Sequence, residues 1–258
     1  MRTFRWLLLL PLFAFIPPQS FVVKARHDFF TSDHLGNLYL VHDQELLKYL
    51  PGGKLFARYS NLKRGPITSI DATNPLKIVV YYNDFQNIVF LDNQLSENSD
   101  MVDLTAIGYE QTAMVCAGAN NSFWLYSKQN NELVRFSEQS KKLVSTGNLK
   151  PLLQQDLHPD YMLEHNGYLY LNSPNEGIFV FDIFGTFSKL LPLKNLHQFQ
   201  VQETQLMYTN DSALCRYNPQ TFETNCMELP SKGARQTRWS ATYLFSDYPD
   251  SVVCRPLH

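Results

Sequence analysis

Short runs rich in Tyr, Phe, Val, Leu and Ile alternate with compact polar turns along almost the whole chain, and the runs recur in phase. Six of them, at residues 45–49, 87–91, 132–136, 177–181, 213–217 and 251–255, each lead into a turn. Their last residues are spaced by 42, 45, 45, 36 and 38 positions. A period of about 40 residues built only from strands and turns predicts the four-stranded blades of a β-propeller.

The same order of parts repeats within each unit. A short inner strand and a polar turn precede a second strand, predicted at 37–41, 77–81, 122–126, 167–171, 205–209 and 241–245. β-branched and aromatic residues dominate these runs, as strands buried on both faces require. The third strand is the one in phase, and turn formers follow it: Asp92-Asn93, Asp182 with Gly185, and Asn218-Pro219. Asp and Asn can accept hydrogen bonds from the backbone just ahead of them, and Gly tolerates positive φ, so reversals here have a mechanism. A more polar fourth strand closes each unit, as at 55–59 and 186–190.

The sixth unit ends after its third strand, and residues 21–25 can supply the missing fourth. The expected fold is therefore all-β: a six-bladed β-propeller of four-stranded antiparallel blades spanning 21–258, its ring closed by the N-terminal strand, which completes the last blade and covers an open edge. A helical solenoid would need apolar residues at three- and four-residue spacing over long runs. Only 151–156 hints at a helical turn.

Residues 1–20 stand apart. Arg2 and Arg5 precede an apolar run from Trp6 to Ile16, then Pro17-Pro18-Gln19-Ser20. This is the pattern of a secretory signal peptide, with removal expected near Ser20. The run is short of the ~20 apolar residues a membrane span takes, and no later stretch is apolar enough to cross a bilayer. The expected location is periplasmic or outer-membrane-associated. Export permits disulfides, and the four cysteines allow three full pairings. Cys215 and Cys226 lie on the two arms of one hairpin and are the most local candidates, whereas Cys215 and Cys254 point to opposite faces of neighbouring blades, the alternative being a bridge between them. Cys116 reads as a buried free thiol.

A formal net charge of -2 and only 18% charged residues give no electrostatic footprint for nucleic acid. Gly-rich phosphate loops, metal-binding His helices, nucleophile elbows and acidic calcium loops are missing, so no cofactor, resident metal or catalytic residue is expected. Topology still points to a site. Connections between blades, and the turns joining second to third strands, open on one face around the central channel. The connections at 61–66, 104–111, 148–161, 194–197 and 231–236 bring Lys63, Arg64, Glu110, Asp156, His158, Asp160, His197, Lys232 and Arg235 to that face. Arg64, Glu110, His158, Asp160, His197 and Arg235 are the candidate binding residues. His158, Asp160 and His197 also carry the ligand types of a metal site. The tyrosines 81, 82, 126, 168 and 170 are expected to pack between blades.

Several stretches resemble a group of uncharacterised exported proteins of Bacteroidetes-type bacteria: Asn74-Pro75-Leu76-Lys77-Ile78, Phe90-Leu91-Asp92, Gly108-Tyr109-Glu110-Gln111, Glu132-Leu133-Val134-Arg135-Phe136, Glu164-His165-Asn166-Gly167, Val180-Phe181-Asp182-Ile183 and Phe199-Gln200-Val201. They recur in register over roughly residues 30–205, and the resemblance implies no activity. The functional expectation is a non-enzymatic binding or scaffold propeller of the bacterial cell envelope, with a protein or envelope ligand as partner. The alternative is a metal-assisted hydrolase or lyase at the channel mouth.

Overall fold

The strand pattern reappears as six four-stranded antiparallel sheets, the first five running in sequence order from an inner to an outer strand. The computed structural model describes residues 18–210, 213–229 and 233–257. The leader expected at 1–20 lies outside them as far as residue 17. Blade 1 comprises Phe29–Ser32, Leu38–His42, Glu45–Tyr49 and Leu55–Ser60, and blade 2 comprises Ser69–Asp71, Ile78–Tyr82, Asn87–Leu91 and Val102–Asp103. Blade 3 runs through Thr112–Gly118, Ser122–Ser127, Glu132–Ser137 and Lys142–Ser145, and blade 4 through Tyr161–His165, Tyr168–Ser173, Gly177–Asp182 and Phe187–Leu191. Blade 5 contains Gln200–Gln202, Gln205–Thr209, Ala213–Tyr217 and Thr224–Glu228.

Blade 6 is assembled from both ends of the chain. Gln236–Trp239, Tyr243–Tyr248 and Ser251–Pro256 supply three strands, and Phe21–Lys24 supplies the fourth. Phe21 pairs with Cys254, Val22 with Val253, Val23 with Val252 and Lys24 with Ser251. The backbone groups that would leave the last sheet with a raw edge are used in this ladder.

Second and third strands carry the core because both of their faces meet neighbouring blades. Every residue of Ile78–Tyr82 and of Ser122–Ser127 is buried. The alternation normal for a half-exposed strand is lost there, while outer strands such as Thr224–Glu228 are exposed throughout. The tyrosines expected between blades divide: Tyr81, Tyr82, Tyr126 and Tyr170 are buried, whereas Tyr168, first in its strand beside a turn, is 45% exposed.

Turns follow the side-chain logic of the sequence. One carboxylate oxygen of Asp92 accepts from the amides of Gln94 and Ser96, and that of Asp182 accepts from Phe184 and Thr186. Asn218 does the same for Gln220 and Thr221. Second strands begin one or two residues later than the apolar pattern predicts in several blades, because the turn claims those residues. In blade 6, for example, Ser240 Oγ accepts from the amides of Thr242 and Tyr243, delaying the strand.

The helical hint resolves into one short helix, Leu149–Leu153, in the connection between blades 3 and 4. Asn148 caps it by accepting from the Lys150 amide at 2.9 Å. Leu149 and Leu157 from this connection are buried in the apolar cluster between the two blades, which pins the long loop down.

Cys215 and Cys226 are directly paired in register and form the disulfide, while Cys116 and Cys254 are buried free thiols. Cys254 therefore does not bridge to Cys215 between blades. The bond staples blade 5, whose buried apolar contact with blade 6 is a small cluster of Met207, Trp239 and Leu244 with Leu214 against it. With the cysteines 11 positions apart, loop-closure entropy makes the crosslink worth about 3 kcal/mol. Replacing both cysteines by Ala is expected to lower the denaturant midpoint by that equivalent, and an unchanged midpoint would show the staple to be energetically idle.

Candidate functional site

The first strand of every blade lies nearest the ring axis, so these strands line a central channel. Its upper part is a cavity of about 370 Å3, bounded among others by Phe30, Ile70, Asp71, Met114, Cys116, Asp160, Tyr161, Met162 and Arg238. A second chamber of about 250 Å3 lies toward the opposite face, among Ser32, Asp33, Leu163, His165, Gln200, Val201, Arg238 and Trp239. Ser32, Tyr161, Leu163 and Arg238 border both.

On the face carrying the interblade connections, two of the expected residues meet. His197 Nδ1 lies 2.7 Å from Asp160 Oδ2, joining the connections that flank blade 4. The other carboxylate oxygen, Oδ1, accepts from Asn172 Nδ2 at 2.7 Å, and Asn172 is fully buried and also donates to the Leu196 carbonyl. Asp160 is thus held by a rigid amide while its histidine, with 82% of the side chain exposed, stands in solvent at the channel mouth.

The remaining candidates are not gathered with this pair. His158 is exposed and fastened through its backbone amide to Ser173 Oγ. Glu110 is exposed on a separate connection. Arg64 is ion-paired with Glu97 at 3.2 Å, and the same carboxylate accepts from the Tyr59 hydroxyl. Lys232 lies outside the described residues. Among the described residues no three His, Cys, Asp or Glu side chains form a metal-holding group, so His158 does not join Asp160 and His197 in the triplet the sequence allowed.

Arg235 belongs to a different cluster, built around the closing strand. Its guanidinium takes Asp247 side-on, Nε to Oδ2 at 3.0 Å and Nη2 to Oδ1 at 3.1 Å. His27, in the connection from the closing strand to blade 1, places Nε2 2.5 Å from Asp247 Oδ1 and Nδ1 2.8 Å from the Ala25 carbonyl. Burial pushes the His27 imidazolium down, but hydrogen bonds to Asp247 and Ala25 outweigh it and hold the ring above its ordinary range. Its nitrogens face the Asp247 carboxylate and the Ala25 carbonyl, which suits the doubly protonated form, and Arg235 Nη2, 3.2 Å from Nε2, opposes that charge.

Inside the channel the electrostatics are uneven. Burial raises the Tyr161 phenol above its ordinary range, with Arg238 opposing the rise and Asp71 adding to it. Burial lowers His165 against the favourable carbonyl of Glu203. The Cys116 thiol is pushed far up by burial and by the nearby carboxylates of Asp71 and Glu164, which removes it as a thiolate nucleophile. Arg238, Tyr161, Asp71, His27 and Asp247 are not among the candidate residues that loop position marks. A charge inside a predicted first strand, as at Asp71 and Arg238, was the available signal, since that strand faces the axis.

No protein-family model matches the chain, and no curated protein sequence matches it. Solved structures do. A virginiamycin B lyase from Staphylococcus aureus superposes with a TM-score of 0.58 at 14% identity, covering 89% of this chain and 80% of that one. The extracellular domain of a one-component system from B. thetaiotaomicron gives 0.56 at 9% identity, over 88% of this chain and 32% of that one. A chain of the nidogen/laminin complex gives 0.62 at 10% identity, over 86% and 89%. At such identities the likeness is one of fold, and the chain is a β-propeller of six four-stranded blades.

Proposed function

We propose that this chain is an exported, non-enzymatic binding or scaffold propeller of the bacterial cell envelope, presenting the face of its interblade connections to a protein or envelope ligand. The observation that carries this reading is the arrangement of that face. Exposed Glu110, His158 and His197 stand on three connections held by a rigid ring. Rigid display of varied loop residues suits recognition, because little ordering entropy remains to be lost on binding. The leader-like N-terminus and the fold shared with an extracellular domain support an exported setting. No helix among the described residues is long and apolar enough to cross a membrane.

Arg64 and Arg235 are committed to Glu97 and Asp247, so the test uses the exposed positions instead. A photo-crosslinking residue at Glu110 or His158 is expected to trap a discrete partner in the native envelope. The same residue at Leu76 or Phe184, exposed on the opposite face, is expected to trap none. Adducts from the opposite face alone, or from neither set, overturn the reading.

A second reading, a metal-assisted hydrolase or lyase, rests on the Asp160–His197 pair, which brings two metal-ligand types, a carboxylate and an exposed imidazole, together at the channel mouth. A stoichiometric divalent ion in protein purified without a histidine tag, lost in His197→Ala, would support it.

A further inference from the structure

The lower chamber of the channel has a chemical asymmetry independent of the partner reading above. Arg238 is only 8% exposed and lies beside the Tyr161 hydroxyl, yet no carboxylate forms an ion pair with it among the described residues. A buried guanidinium with no counter-charge is costly. Asp33, also on the chamber wall, makes no ion pair with Arg238; its carboxylate accepts from the amides of Leu35 and Asn37, the Asn37 side chain and the Tyr39 hydroxyl. Asp71 is likewise engaged by Thr73 and the Ala117 amide.

Orphaned polar atoms concentrate at this place. Arg238 Nε, Trp239 Nε1, Ser32 Oγ and His165 Nε2 are buried without a hydrogen-bond partner, and all four residues line the chamber. Guanidinium and indole nitrogens only donate. Those two nitrogens lack an acceptor, and for a guanidinium the acceptor that also supplies a counter-charge is a carboxylate. The free Nε–H lies on the edge of the guanidinium that takes a carboxylate in two parallel hydrogen bonds. Leu163, Val201 and Ala241 give the chamber an apolar stretch of wall between the polar side chains of Thr73, Gln200, Gln202 and Ser240.

We infer that this chamber is a binding site for a small monoanionic organic carboxylate, with the carboxylate on Arg238 and a short hydrocarbon body against the apolar wall. Isothermal titration of the purified chain with hexanoate, 1-hexanol and inorganic phosphate tests it. Hexanoate is expected to bind with one-to-one stoichiometry, hexanol at least tenfold more weakly, and phosphate more weakly than hexanoate. Arg238→Gln is expected to weaken hexanoate at least tenfold, and Arg238→Lys, which keeps the charge but loses the planar edge, by an intermediate factor. Absence of hexanoate binding, equal binding of hexanol, tighter binding of phosphate, or undiminished binding in Arg238→Gln overturns the inference. Should the Arg238 variants not fold, the comparison of the three probes on the unaltered chain decides it alone.

Discussion

Asp247→Ala is expected to destabilise the ring by about 4 kcal/mol, the scale for removing one partner from a buried charged pair. The side chain of His27 is fully buried and that of Asp247 is 6% exposed, so the loss leaves an imidazolium facing no counter-ion. Arg235, 41% exposed, can recover water and softens the loss. The position matters because the three residues come from three places that must meet for the ring to close: the segment after the closing strand, the end of the last interblade connection, and the second strand of blade 6. Equilibrium denaturation of the variant at pH 6 reads the effect directly, and a midpoint equal to that of the parent would mean that the strand pairing alone holds the ring shut.

The same cluster sets a pH dependence whose sign follows from His27. Its pKa in the folded chain is raised above the ordinary 6.5 by Asp247 and the Ala25 carbonyl, against burial and the neighbouring Arg235. A raised group binds more protons folded than unfolded, so its contribution is complete below pH 6.5 and declines as pH rises through the folded value. His165, lowered by burial, acts in the separate window below 6.5, where stability falls as pH falls. His27→Asn should flatten the loss above pH 6.5 while leaving the acid side unchanged.

The second large effect is expected at Trp124. Its side chain is fully buried in the cluster between blades 3 and 4, and its Nε1 donates to Glu164 Oε2 at 2.6 Å. Glu164 also accepts from the Ala119 amide at 2.8 Å, so one carboxylate ties the two blades together. Arg135 lies over the indole at 5.9 Å and donates to the Ala119 carbonyl and Ser122 Oγ. Trp124→Ala removes a large buried volume and is expected to cost about 4 kcal/mol. For a chain of this size that corresponds to a Tm lower by roughly 8–16 °C. Glu164→Ala strands two donors and should cost about 2 kcal/mol. In the double variant the losses should fall short of their sum, because the indole donor is no longer there to be stranded. Full additivity would show that the bridge across blades 3 and 4 carries no shared energy.

Individual residues show how far the sequence could be read toward these conclusions. The in-phase strands, the turns at Asp92, Asp182 and Asn218, and the pairing of residues 21–25 with the last strand were all legible. Each depends on local chemistry or on the two-residue period of a strand. The Cys215–Cys226 bond was legible as the most local pairing across a hairpin. At the rim, loop position and residue type make Arg64 and Arg235 candidates, but only their surroundings reveal that Glu97 and Asp247 engage them. Asp160 and His197 are 37 positions apart; the repeat puts their connections on one face, but the 2.7 Å contact and the exclusion of His158 from it are set by how the two loops pack.

The order of strands, the number of blades and the closure of the ring were settled by the sequence itself, because apolar periodicity and turn chemistry act over a few residues and repeat. The arrangement of charges was decided by tertiary structure alone. Whether Arg238 meets a carboxylate, and whether His27 is a loop residue or the centre of a buried cluster, depends on neighbours brought in from distant blades. Desolvation and pairing energies follow those distances in space, which no short stretch of sequence encodes.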